Sequence, residues 1–314
     1  MSTRGTVLRS HGPGEQLKAE EVELTAGPGE TLVEMRLAAV TPLDRSTLAG
    51  KQPTMPSRPF MPGSEGAGVV VSSDAFEAGA PVVVRGEGVG VTRDGVWGGY
   101  AVVPNAAVHR LPSSLEPGTA LALMTPALTA HTAVRRVAAV QAGETVVVTG
   151  VTGLVGHMCA VIARSAGASR VIGLVSLDDR ADGATGVVDQ LVRVDGLGQV
   201  GRELPWCDAV IDTMGGPVAG GVLGHISPGG RIAALGYKAG EFTTIDLHQL
   251  IGRDLRVLPV NLQRTTLAPD AVGQALADIA AVSWRADYDV VPAERIGDVL
   301  DRQAGRILID LTGL

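Results

Sequence analysis

Three glycines, Gly150, Gly153 and Gly156, sit three residues apart in the stretch VVVTGVTGLVGHMCAVIARSAG, between an apolar run and a helix-like segment. A turn that leads from a buried strand into a helix suits a phosphate. Glycine lets the backbone approach closely, and the first N–H groups of the helix have no partner of their own. Thr152, Leu154 and Val155 share this turn and, with the three glycines, are the expected contacts of a dinucleotide pyrophosphate. The spacing is Gly-x-x-Gly-x-x-Gly instead of the commoner Gly-x-Gly-x-x-Gly, so the strand and helix on either side carry much of the inference. The following apolar run ends IGLVSLDDR. An acidic residue directly at that strand end would bind ribose hydroxyls and repel a 2′-phosphate; Ser176 stands there, with Arg180 four residues on, which favours NADP(H) over NAD. Asp178 and Asp179 add negative charge close by.

Other chemistry-bearing side chains form no comparable pattern. The six histidines lack serine or cysteine partners in any hydrolytic arrangement. The two cysteines, Cys159 and Cys207, are too few and too far apart for a zinc lobe or a disulfide framework, so no metal ligands are assigned. Cys159 falls on the apolar face of a helix and reads as a core residue.

These residues must be held by elements of two kinds. Up to about residue 110, short apolar runs are cut by Gly and Pro, as in an all-β unit. From about Pro117, helix-like stretches appear, and then strand and helix alternate through ETVVVTG, RVIGLV, CDAVIDTMG, PVAGGVLGHIS and GRIAALG. Such alternation predicts a parallel sheet with crossover helices, and its strands are apolar throughout, as strands buried on both faces should be. After DLRVLPV the pattern becomes mixed, with a helix over 270–282, a strand YDVVP, a helix AERIGDVLDRQ and a last strand GRILIDL.

At 314 residues the chain has room for two domains, and 45% hydrophobic against 19% charged residues supplies material for packed cores. A net charge of −7 and nine aromatics leave neither a basic footprint nor a stacking platform, which argues against nucleic acid as a partner. No apolar stretch reaches membrane-span length and the N-terminal residues lack a signal-peptide core, so a cytoplasmic protein is expected.

Taken in order, the segments LAAVTPLDRSTLAG, MPGSEGAGVVV, GGYAVVPNAAVHRLP, TPALTAHTAV, VIDTMGG, SPGGRIAALG and AGRILIDL resemble the medium-chain dehydrogenase/reductases. The likeness is to the zinc-independent quinone oxidoreductase and enoyl reductase branch, with features similar to acrylyl-CoA reductases. It implies an α/β chain with a GroES-like β-domain over 1–115 and a Rossmann doubly wound parallel sheet domain over 116–264. Residues 265–314 would return to the first domain. Zinc-dependent relatives carry Cys near Val40–Thr41 and Gly-His-Glu where this chain has Gly63-Ser64-Glu65, so the resemblance implies chemistry without zinc.

The implied reaction is NADPH-dependent hydride transfer to an α,β-unsaturated carbonyl or a quinone. Thr41 stands where the family usually has Asn near the nicotinamide, and its hydroxyl is expected to donate one hydrogen bond there. Asp44 matches the family Asp that follows; fixing its loop through backbone hydrogen bonds is at least as good a role as chemistry. Thr125 and Thr129 match positions against nicotinamide and its phosphate, and Gly236 with Tyr237 falls where the family lines the nicotinamide pocket. Relatives commonly pair through an edge strand, so DLRVLPV suits a homodimer. Only ADGAT follows Arg180 where a crossover helix is usual, which, with Thr41, motivates the alternative of a member that has lost or repurposed its redox chemistry.

Overall fold

The computed structural model describes residues 2–177, 186–194, 204–262, 270–282, 286–302 and 306–314. The chain divides into two compact units, one formed by Met1–Met124 with Arg285–Leu314 and the other by Thr125–Trp284.

In the first unit, β1 (Ser2–Arg9) and β2 (Lys18–Thr25) form an antiparallel pair. Next come β3 (Glu30–Ala39), helix α1 (Pro42–Leu48), β4 (Glu65–Ser73), β5 (Pro81–Arg85), β6 (Tyr100–Pro104) and β7 (Val108–Arg110). Helix α2 (Pro117–His131) runs from this unit into the second. The second unit then contains β8 (Thr145–Thr149), α3 (Leu154–Ser165), β9 (Arg170–Ser176), β10 (Gln190–Val194), β11 (Cys207–Asp212), α4 (Gly216–Leu223) and β12 (Ile226–Ala234). It closes with α5 (Leu247–Gly252), β13 (Arg256–Pro259) and α6 (Ala271–Ala280). The chain returns to the first unit as β14 (Asp289–Pro292) and β15 (Ile307–Asp310).

The first unit's main sheet has the order β14-β15-β3-β4-β5-β7, with β6 paired to the other stretch of β3. Its core gathers Val33, Met35, Val82, Val84, Trp97 and Ile309, all essentially fully buried. The indole of Trp97 lies against Gly63, whose φ of +103° and lack of a side chain make that contact feasible; a Cβ there would sit 2.3 Å from the ring.

The second unit carries a six-stranded sheet in the order β10-β9-β8-β11-β12-β13, every pairing parallel. The chain moves outward from β8 through β9 to β10, then restarts beside β8 with β11 and moves the other way. This is the doubly wound dinucleotide-binding order, with its switch point between β8 and β11. Val146–Val148 and Ala209–Ile211 are buried on both faces, so the continuous apolar runs reflect a covered parallel sheet. Strand β10 did not stand out in the sequence because its five residues, QLVRV, include two polar ones and lie at the sheet's edge. The segment expected to lack a crossover helix, 178–185, lies outside the described residues, as does Arg180. The expected helix AERIGDVLDRQ is a short 3-10 segment, Ala293–Asp298, since Gly297 and the β-branched and aspartate residues around it do not sustain further turns.

Candidate functional site

Strand β8 ends at Thr149, and the chain turns through Gly150, at φ +61°, a left-handed conformation that glycine adopts without steric cost. The Gly153 N–H closes the turn on the Gly150 carbonyl at 3.0 Å, and Gly153 then serves as the N-cap of α3 with no side-chain cap. The first helical bond runs from the His157 N–H to the Gly153 carbonyl at 2.8 Å. The N–H groups of Leu154, Val155 and Gly156 therefore precede the helical ladder, and the helix dipole adds partial positive charge at the same place. Gly156 lets α3 lie against the turn, since a Cβ there would come 2.2 Å from the Gly150 carbonyl oxygen. This cradle fits the pyrophosphate of a dinucleotide.

A buried carboxylate that spacing does not disclose underlies the cradle. Asp212, at the end of β11, accepts the Thr149 hydroxyl at 2.7 Å and the backbone N–H groups of Met214 and Gly215. Thr213 ties the same two strand ends together: its N–H donates to the Thr149 hydroxyl oxygen at 2.9 Å and its own hydroxyl to the Thr149 carbonyl at 2.7 Å. A side chain on Gly150 would meet Thr213 Oγ1 at 2.6 Å and Met214 Sδ at 2.8 Å, so the turn after β11 packs directly on the turn after β8. Burial raises the Asp212 carboxyl above its ordinary range, and the hydrogen bonds from Thr149, Gly215 and Met214 only partly oppose that. The third turn joins through Gly236, where a Cβ would collide with the Thr213 carbonyl oxygen at 2.0 Å. Tyr237 next to it is 70% exposed. Thr125 and Thr129 lie one turn apart on α2, and the Thr129 hydroxyl donates to the Thr125 carbonyl at 2.7 Å.

Ser176 ends β9, half-buried, at the sheet end that carries the glycine turn. A basic residue reaches this place from the neighbouring strand. Arg193 of β10 donates through Nη1 to the carbonyls of Ser176, at 3.2 Å, and Leu177, at 2.9 Å.

In the first unit, Thr41 and Asp44 form a capping box at the start of α1. Asp44 Oδ2 accepts the Thr41 N–H and the Thr41 hydroxyl, each at 2.7 Å, and Oδ1 accepts the Ser64 N–H at 2.8 Å. Thr41 Oγ1 in turn accepts the Asp44 N–H at 3.2 Å and lies 3.3 Å from the Ser64 hydroxyl. A threonine has one hydroxyl proton, and here Asp44 holds it. The donor expected from Thr41 is thus committed inside the protein, which the sequence could not show because a cap and a ligand contact demand the same residue type. Burial raises the Asp44 carboxyl, with the bonds from Thr41 and Ser64 opposing. Two half-buried guanidinium groups feel its charge: desolvation lowers Arg85, which is ion-paired with Glu65, and Arg306 to about 10 each, with Asp44 acting in the other direction.

Cys159 and Cys207 are both buried; burial pushes the first thiol far up and the second up to about 12, so neither is a ready nucleophile. Among the described residues, no three His, Cys, Asp or Glu side chains come together as a metal-binding group.

A GroES-like β unit joined to a sheet of doubly wound order with a phosphate-type turn at its switch point defines a nicotinamide-dependent oxidoreductase scaffold. Residues 27–113 match the alcohol dehydrogenase GroES-like domain. A zinc-type alcohol dehydrogenase-like protein of Schizosaccharomyces pombe is 30% identical over 237 residues, covering 74% of this chain and 70% of that protein. The mitochondrial enoyl-[acyl-carrier-protein] reductase of Rattus norvegicus is 25% identical over 269 residues, covering 81% of this chain and 71% of that enzyme. The crystal structure of AibC superimposes with a TM-score of 0.84 at 23% identity, covering 98% of this chain and 96% of that one. The chain belongs to the medium-chain dehydrogenase/reductase family and is an oxidoreductase of that family.

Proposed function

We propose that this protein is an NADPH-dependent reductase that delivers hydride to the C=C bond of an α,β-unsaturated carbonyl, or to a quinone, without zinc. The observation that carries this reading is the uncapped glycine turn at the switch point of the sheet, braced from below by Asp212. The bound cofactor supplies the hydride. Gly150, Thr152, Gly153, Leu154, Val155 and Gly156 hold its pyrophosphate, and Ser176 faces the adenosine end. Thr125, Thr129, Gly236 and Tyr237 are assigned to the nicotinamide half. Thr41 is kept in place by Asp44 and shapes its surroundings without giving up a proton. In such a substrate the carbonyl draws the developing charge, so positioning and exclusion of water do most of what is asked of the protein.

The S. pombe relative's name raises zinc as the competing chemistry. The donor set does not fit it: at these positions this chain offers the neutral hydroxyls of Thr41 and Ser64, the first bonded to Asp44, and one carboxylate, Glu65, which is buried and ion-paired with Arg85. We also assign the protein to the cytoplasm and expect a homodimer joined through β13, one of the two edge strands of the second unit's sheet, where Val257 is 43% exposed. No helix among the described residues is long and apolar enough to cross a membrane.

Fluorescence titration with NADPH, followed by transfer of deuteride from labelled NADPH to a simple enone, tests the assignment. Absence of binding at millimolar cofactor overturns it. Binding without deuteride transfer to enones or quinones instead establishes the second reading, a repurposed member, which the committed Thr41 proton favours.

A further inference from the structure

We propose that the first unit holds a second binding site, for a small organic cation with an apolar body of the alkylammonium kind. It stands apart from the dinucleotide reading. A cavity of about 740 Å³ opens among the end of β1, the connection from β1 to β2, the last turn of α1 and the 3-10 segment Ala293–Asp298 with the turn after it. That volume lies in the range that small-molecule sites occupy. None of the residues assigned above to the cofactor lines it, and neither do Thr41 and Asp44.

The floor is apolar. Leu8 and Ile296 are buried, Leu17, Leu48 and Leu300 are half-buried, and all five belong to or pack against the core of the unit. An apolar body laid over them gains the usual free energy of removing such surface from water. The margin is acidic, with exposed carboxylates from Glu15, Glu294, Asp298 and Asp301. Glu15 folds over the cavity wall at Gly12, where a Cβ would come 2.3 Å from its Oε1. Asp298 pairs with Arg295 at 2.9 Å on the open surface, a bond worth little, whereas Glu15, Glu294 and Asp301 form no ion pair with any described residue. Among the described residues that line the cavity the one cation is Arg45. Its Nε donates to the Leu300 carbonyl at 2.6 Å and its Nη2 to the Arg302 carbonyl at 2.8 Å, so it holds the turn carrying Asp301 against α1. Carboxylates of one sign around a cleft with low-dielectric walls attract a cation and repel an anion. A hydrophilic cation would leave the floor wet, and a neutral apolar ligand would leave the charge unused; an apolar body with a positive head meets both.

Isothermal titration calorimetry of the intact protein with octylammonium, 1-octanol and octanoate tests the proposal, with methylammonium as the charge without the body. Octylammonium should bind roughly tenfold or more tightly than octanol, with octanoate and methylammonium weaker still. The variant E15Q/E294Q/D301N should lower octylammonium affinity roughly tenfold and leave octanol unchanged, since all three side chains are exposed. A19W, which places an indole at the cavity from an exposed position on β2, should weaken both ligands together. Absence of octylammonium binding at millimolar concentration overturns the proposal, as does octanoate binding equally tightly, and both comparisons are made on the wild type whether or not the variants fold. A triple variant that keeps the wild-type preference, or an A19W that binds as the wild type does, also overturns it. NADPH titration of the same samples keeps the two sites apart: loss of NADPH binding removes the dinucleotide reading and leaves this one standing.

Discussion

Asp44 in the first unit and Asp212 in the second are both buried carboxylates that accept hydroxyl and backbone donors, and burial raises both. They differ in reach. Asp44 bonds chiefly to Thr41, three residues before it, and only the Ser64 N–H comes from elsewhere. Asp212 joins two strand ends that lie 63 residues apart in the chain, directly beneath the glycine turn. They also differ in company, since the charge of Asp44 acts on two half-buried guanidinium groups, Arg85 and Arg306. A short-range carboxylate stabilises a local turn; a long-range one ties two strand ends together.

The largest expected effect is on Asp44. Alanine there orphans the Thr41 and Ser64 N–H groups and removes a charge that acts on Arg85 and Arg306, although Arg85 keeps its ion pair with Glu65, so D44A should cost about 4 kcal/mol in urea unfolding. D212A orphans the Thr149 hydroxyl and the N–H groups of Met214 and Gly215, and should cost about 3 kcal/mol. Equal or reversed losses would show that the neighbouring guanidinium groups contribute nothing to the contrast.

A gentler change separates stability from binding. T149V removes the hydroxyl that donates to Asp212 and accepts from the Thr213 N–H, leaving that N–H without its partner, for about 2 kcal/mol. T41V removes the corresponding hydroxyl in the other cluster at a similar cost. NADPH affinity should fall roughly tenfold in T149V and hold in T41V, because only the first variant disturbs the floor of the glycine turn. Equal affinity losses in the two variants would remove the division of roles.

This contrast also explains what could be read from the chain. The glycine turn was legible because strand, turn and helix are consecutive, and the doubly wound sheet because its buried strands alternate with helices. The hold of Asp44 on its loop was legible for the same reason: Thr41 and Asp44 are one helical turn apart. The commitment of the Thr41 proton was not, because side-chain spacing does not say which acceptor a hydroxyl chooses. Asp212 and Arg193 were missed because their partners come from other strands, Thr149 at 63 residues' distance and Ser176 at 17. Only the parallel pairings of β8 with β11 and of β9 with β10 bring them together.

The smallest effect is one of pH, and it sets Asp212 against a partly exposed carboxylate of the same unit. Glu144 is gripped by the Arg231 guanidinium through two bonds of 2.7 Å. Burial alone would raise its carboxyl, but Arg231 and the Gln141 N–H outweigh that and hold it below its ordinary 4.5. Near that pH the folded protein binds fewer protons at Glu144 than the unfolded chain does, so its contribution is present above 4.5 and is lost as pH falls through the lower folded value. Asp212 behaves oppositely: its folded carboxyl is raised above 3.8, so its contribution is full below 3.8 and is lost as pH rises through the folded value. The stability gap between wild type and E144Q should therefore narrow on acidification below 4.5, whereas the gap between wild type and D212N should narrow as pH rises above 3.8. Urea midpoints of the three proteins from acid to neutral pH check this. Slopes of the same sign would mean that the hydrogen bonds to Asp212 outweigh its burial, which would make it an ionised brace like Glu144 with a permanent negative charge beneath the glycine turn.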